Sequence, residues 1–265
     1  MELFKPISTF ENTDLWKYMD FHRFASLVFT KQLVFTRLDK FPDPMEGLKR
    51  EYLWNCLSSD HTPDDPSKLN PDLSEDCRNQ IIDKKKSFES NRIEEKEKSQ
   101  KAQFASCWFL GNRESMAMWN IYSKKSGIVI KSKANELICF ISKALRVHED
   151  CYPGHMSFAG DIDYLKINPF DPNDLTPTKK IPGFKKDLAF QFEHEFRFLI
   201  GVPYNKKHSY EIIKLDLIEI EDFDFEIITH PLMEEWQFQN IYTLAKQAFP
   251  KGQVKKSLIS LKNDR

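Results

Sequence analysis

Glycine is scarce in this chain, eight residues in 265, which excludes collagen-like and glycine-rich disordered polymers. No run approaches the roughly 18 apolar residues of a membrane span, so no membrane association is expected. The five cysteines, Cys56, Cys77, Cys107, Cys139 and Cys151, are odd in number, widely spaced and without a Cys-x-x-Cys. That argues against a disulfide framework and for a reducing, cytoplasmic setting. Met1 to Trp16 carries acidic residues and lacks an apolar core, so no secretory signal is expected. Neither sign of charge dominates: 39 basic and 40 acidic residues leave a formal charge of -1, and no global field draws the protein to nucleic acid or anionic lipid. The P-loop, the G-x-G-x-x-G turn, H-E-x-x-H and G-x-S-x-G are all missing, so no single motif names a chemistry.

What is present is aromatic and alternating. With 22 Phe and 40% hydrophobic residues the chain can bury a substantial core. No internal repeat or clear linker appears, so residues 1–265 are expected to form a single domain. Short strands are predicted at Leu15–Met19, Gln32–Leu38, Phe104–Phe109, Ile128–Lys131, Asp161–Leu165, Tyr210–Leu217, Phe223–Thr229 and Val254–Leu261. Helices are predicted at Phe21–Thr30, capped by Asp20, and at Leu48–Leu57, Arg113–Tyr122, Asn135–Leu145 and Glu234–Phe249. Residues 58–103 form a polar, largely helical insertion, whose Lys84-Lys85-Lys86 is interleaved with acids. Many short strands with interspersed helices predict an α+β fold, mostly antiparallel, with twisted sheet and flanking helices.

The organising stretch is Phe190 to Ile200. At a period of two, Phe190, Phe192, Phe196, Phe198 and Ile200 point one way; Gln191, Glu193, Glu195 and Arg197 point the other. This predicts one half-buried strand with two carboxylates and a guanidinium on its polar face. Such a row serves equally as a reactive cluster or as a solvated face with an ion pair. Cys151-x-x-x-His155 is a metal half-site without a matching second pair. The dispersed candidates are Tyr18, Arg37, Asp43, Glu46, Trp119, Tyr122, Glu193, Glu195 and Arg197. Each has an ordinary structural role open to it. Arg37 would pair with Asp39 or Asp43, and Trp119 and Tyr122 would be core residues with satisfied polar tips.

Trp16-Lys17-Tyr18, then Phe41-Pro42-Asp43-Pro44-Met45-Glu46 ending a strand region, then Met118-Trp119 with Tyr122 and Gly127, then Glu193-His194-Glu195-Phe196-Arg197 come in a recognisable order. Over about residues 15–200 the chain resembles the bacterial family catalogued as domain of unknown function 2971, with Pro42 standing where that family usually has Asn. A strand arginine, a strand serine and a Glu-x-Glu also resemble the order in ADP-ribosyltransferases of the arginine–serine–glutamate type, with Arg37, Ser106 and Glu195 as counterparts. That resemblance implies an ADP-ribosyltransferase-like sheet and NAD as substrate, in toxin or phage-defence biology. Arg37 would bind pyrophosphate. Tyr18, Trp119 or Tyr122 would stack on nicotinamide, with Arg197 beside them in the cofactor-binding set. Glu195 would stabilise the oxocarbenium-like charge, and Glu193 would orient a protein or nucleic-acid acceptor. No metal is expected in this reading. A second reading gathers Asp43, Glu46, Glu193 and Glu195 around Mg²⁺ or Mn²⁺ as a nuclease would. A third makes Glu193, Glu195, Arg37 and Arg197 a buried network in a non-catalytic sensor or interaction module.

Overall fold

A computed structural model describes residues 1–43, 45–48, 70, 72–147, 154–165, 181–204 and 210–261. The helix predicted at Leu48–Leu57 and Cys151 of the metal half-site lie outside the described residues, apart from Leu48 itself.

After β1 (Glu2–Leu3) and β2 (Asp14–Met19), the chain turns into α1 (Phe21–Thr30). Asp20 caps α1 by accepting from the Arg23 amide, as its side chain and position dictate. Lys31, at φ 56°, ends the helix and sends the chain straight back into β3 (Gln32–Arg37). Next come α2 (Glu75–Lys101), β4 (Gln103–Gly111), β5 (Ile128–Lys133) and α3 (Ala134–Val147). The strands β6 (Met156–Asp161), β7 (Asp163–Leu165), β8 (Lys185–Asp187), β9 (Glu195–Gly201), β10 (Ile212–Asp216) and β11 (Glu226–Thr229) follow. A capping box of Glu234 and Gln237 opens α4 (Glu235–Ala248), and β12 (Gln253–Lys256) follows it.

The fold is α+β. Ten strands form one sheet in the order β1-β6-β9-β4-β2-β5-β11-β12, with β3 and β10 branching from β4. Among the described residues only β1–β6 and β11–β12 are parallel pairs within it. One face carries the large core, where Phe35, Phe104, Phe196, Phe198 and Ile200 meet α1, α3 and α4. The other face carries two smaller apolar clusters, one around Trp16, Tyr18 and Trp119, the other around Leu38, Phe184 and Leu199. Among the described residues no helix is long and apolar enough to cross a membrane.

Two features of the sheet position everything that follows. First, β4 splits its partners. β9 runs along one edge from Gln103 to Phe109. On the other edge β2 pairs with Phe109 to Gly111 and β3 with Phe104 and Ala105. Among the described residues Ser106, Cys107 and Trp108 have no strand partner on that edge, so β2 and β3 diverge there as a fork. Second, the C-terminal end of α2 holds a loop in place. Ser99 donates to the Gly47 carbonyl at 2.6 Å, and Gln100 donates to the Glu46 carbonyl at 2.8 Å.

The organising strand differs from its expectation. Leu188–Glu193 is a 3₁₀ turn, begun by Asp187 accepting from the Ala189 amide. His194, at φ 39°, reverses the chain, and the strand begins only at Glu195. Phe192 is therefore 44% exposed, off the apolar row of Phe196 and Phe198. Periodicity alone misses this, because the local cap at Asp187 competes with the strand ladder. The helix predicted at Arg113–Tyr122 shrinks to an α turn, Met116–Met118, running into a π turn, Trp119–Ser123. Gly127, which folds back on the end of that turn, is required for a steric reason: a Cβ there would sit 2.2 Å from the Ser123 carbonyl oxygen. Gly127→Ala is expected to destabilise the fold by about 1–3 kcal/mol, read from urea midpoints.

Candidate functional site

The polar face of β9 builds the site. Register places Glu195 opposite Phe109 and Arg197 opposite Cys107, between the two small apolar clusters. Arg197 is fully buried. Its Nε donates to Glu195 Oε1 at 2.6 Å and its Nη2 to Glu195 Oε2 at 3.0 Å. The same guanidinium holds Glu46 with two bonds of 2.7 Å, one from each Nη. Nη1 also donates to the Gly183 carbonyl at 2.8 Å. All five N–H groups of the guanidinium are thereby used.

Lys186 closes the other side. Its Nζ lies 2.5 Å from Glu193 Oε2, 3.3 Å from Glu46 Oε1 and 3.5 Å from Glu195 Oε2. Tyr122, 37% exposed, donates its hydroxyl to Glu193 Oε1 at 2.9 Å. Tyr164 accepts from the Glu195 amide at 2.8 Å. Burial acts to raise the Glu195 pKa, but the charge and hydrogen bonds of Arg197, then Lys186, hold it down at about 2. Burial acts to lower the Lys186 pKa, yet Glu195 and Glu46 carry it above its ordinary value. Burial, then the charge of Glu193, pushes the Tyr122 phenol up. Cys107 is likewise raised, by burial first and then by Glu195.

Glu46, Glu193, Glu195, Arg197 and Tyr122 thus come together, although Glu193 arrives from the 3₁₀ turn rather than the strand. Asp43 is buried nearby: one oxygen accepts from the Met45 amide at 2.9 Å, and the other has no hydrogen-bond partner among the described residues. Burial, with a smaller contribution from Glu46, raises its pKa.

Arg37 does not join them. It grips Asp39 through Nε at 2.6 Å and Nη2 at 2.9 Å, and donates to the Tyr210 carbonyl at 3.0 Å. It stands opposite Phe104 while Glu195 stands opposite Phe109, which is five residues, or roughly 16 Å, along β4. Alternation also puts Arg37 and Ser106 on the large-core face, and Glu195 on the other. Tyr18 and Trp119 are core residues with their polar tips occupied: the Ser115 amide donates to the Tyr18 hydroxyl, and Trp119 Nε1 donates to Glu114.

Sequence reasoning missed Lys186 and Lys17 as site residues. Lys186 carries no signal, lying on a three-residue strand in a polar stretch. Lys17 does carry one, since it interrupts the apolar row of Leu15 and Met19. Its ammonium sits in the fork and donates to the Cys107 carbonyl at 3.0 Å and to Ser106 Oγ at 3.1 Å. It therefore satisfies part of the edge that β2 and β3 leave vacant. Trp108 Nε1 donates to the same Ser106 oxygen at 3.3 Å, and the Trp108 ring centroid is 5.2 Å from Nζ. Burial lowers the Lys17 pKa to about 8, with Arg23 acting the same way and Cys107 and Glu195 opposing. Beside it lies a cavity of about 370 Å³ between the sheet, α1, α3 and residues 217–225.

No protein-family model, curated protein or solved structure matches this chain.

Proposed function

We propose that the protein acts in the cytoplasm by binding, as a sensor or interaction module, and that the cluster of Glu46, Lys186, Glu193, Glu195 and Arg197 is its structural lock. One observation carries this reading: every N–H of Arg197 is engaged, four by Glu46 and Glu195 and one by the Gly183 carbonyl, and both oxygens of Glu195 accept from Arg197. A carboxylate held at about pKa 2 by a bidentate arginine is a poor base, and both its oxygens already accept hydrogen bonds from Arg197. The test is nicotinamide release from NAD by the wild type, Glu195→Gln and Glu193→Gln. No release by any of the three is expected. Turnover by the wild type that Glu193→Gln or Glu195→Gln abolishes, with its melt intact, would overturn the reading.

The NAD-consuming transferase, in toxin or phage-defence biology with a protein or nucleic-acid acceptor, is the second reading. It is supported by the resemblance to the ADP-ribosyltransferases and by one contact. Tyr122 forms the outer, part-exposed edge of the cluster on Glu193. A ligand displacing that hydroxyl would meet a carboxylate, so this reading expects Glu193→Gln, not Glu195→Gln, to remove activity without unfolding. The nuclease reading has less support, because Lys186 and Arg197 take the cation positions among the same carboxylates.

A further inference from the structure

We propose that the fork between β2 and β3 binds a small organic anion with a flat apolar body, its anionic group on Lys17 and its body against Trp108. The inference rests on the binding-module reading and gives it a ligand class. Three observations converge on it. The cavity, about 370 Å³, is of the size that takes metabolite-scale ligands. Its wall is mainly apolar, with Leu27, Ile130, Phe140, Ile141 and Phe223 among the lining residues. Its charged inner wall is Lys17, which forms no ion pair with a carboxylate among the described residues; exposed Arg23 stands on the outer side.

The hydrogen bonds of Lys17 do not by themselves account for a lysine here. A neutral amide would satisfy the Cys107 carbonyl without bringing a charge to a mainly apolar wall, and even the half-buried charge of Lys17 is costly there unless paired. An ammonium has three N–H groups, and two are placed. The third, beside the cavity, is the donor for the anion. A ligand phosphate or carboxylate would supply the missing counter-charge, and Trp108 a flat surface for stacking.

The experiment is calorimetric titration of the full chain with adenosine monophosphate and with 2-naphthoate. Their neutral counterparts are adenosine and 2-naphthamide. The wild type is expected to bind one anion at a single site, at least about tenfold more tightly than its neutral counterpart, as one charge-assisted hydrogen bond allows. Which anion binds separates a phosphate ester from a carboxylate source. Lys17→Met and Lys17→Gln are both expected to lose that preference while melting cooperatively; the glutamine retains a donor for Cys107 without the charge. Failure of both anions to bind, or equal binding by the wild type and the variants, would overturn the assignment. NAD turnover would instead strike the binding-module reading, so the two fail separately.

Discussion

Arg197→Met is expected to lower the free energy of unfolding by about 3–5 kcal/mol in urea titrations. The reason lies in what the substitution leaves behind. Glu46, Glu193 and Glu195 are buried against Lys186 and Arg197, three negative charges against two positive. Without the guanidinium, Glu46 and Glu195 lose four hydrogen bonds and keep only Lys186 as a cation. A buried carboxylate stripped of its partner suffers the full desolvation cost. The triple replacement Glu46→Met, Glu195→Met, Arg197→Met removes the group as a unit and leaves Lys186 paired with Glu193. It is expected to recover most of the loss, because apolar substitutes for a whole buried ion group are often neutral. An Arg197→Met stability within about 1 kcal/mol of wild type, the range of an exposed ion pair, would contradict the lock.

Lys17→Met is expected to act in the opposite direction, raising stability at pH 7 by about 1–2 kcal/mol. Burial disfavours the ammonium, and a pKa near 8 against an unfolded value of about 10.4 corresponds to about 3 kcal/mol of cost. Exposing the Cys107 carbonyl to an unmade hydrogen bond returns about 1–2 kcal/mol of that. The signature is in the pH dependence. Below pH 8 Lys17 is charged in both states and its cost is complete. Between about pH 8 and 10.4 the unfolded chain holds more protons than the folded one, so wild-type stability rises with pH. The gap between variant and wild type should therefore be widest below pH 8, shrink above it and reverse by about pH 10.5, where only the lost hydrogen bonds of Lys17 remain and the variant is the less stable by about 1–2 kcal/mol. The raised pKa values of Cys107, Tyr18, Tyr122 and Tyr164 lower stability at high pH in both proteins, and the difference cancels them. Arg23, Cys107 and Glu195 are the titratable groups acting on Lys17, and all are retained in the variant. A pH-independent gap with the variant less stable would mean that the hydrogen bonds of Lys17 outweigh its burial.

Local pattern carried most of the elements in this protein. The cap at Asp20, the alternation of Leu33, Phe35 and Arg37, and the amphipathic helices over α3 and α4 all come from interactions within a few residues, which spacing records. The α+β class follows from their order. The pairing of Arg37 with Asp39 was also foreseeable, two residues apart on one chain. β6 left no clear pattern, since its strand is built from small and mixed residues, Met156–Asp161.

Two things were decided only in three dimensions. Whether the row of Glu195 and Arg197 meets water or other charges depended on Glu46, brought in from 151 residues before Arg197, and on Lys186 from the short strand β8. A short local cap at Asp187 then shifted Glu193 off the strand while keeping it on Lys186. The fork is the clearer case. β2 and β3 are each ordinary strands in sequence, and nothing within either records that both will share one edge of β4. Hydrogen bonding of a strand edge is satisfied by whichever chain arrives, so the gap at Ser106–Trp108, and the cavity beside Lys17, exist only once the sheet is assembled.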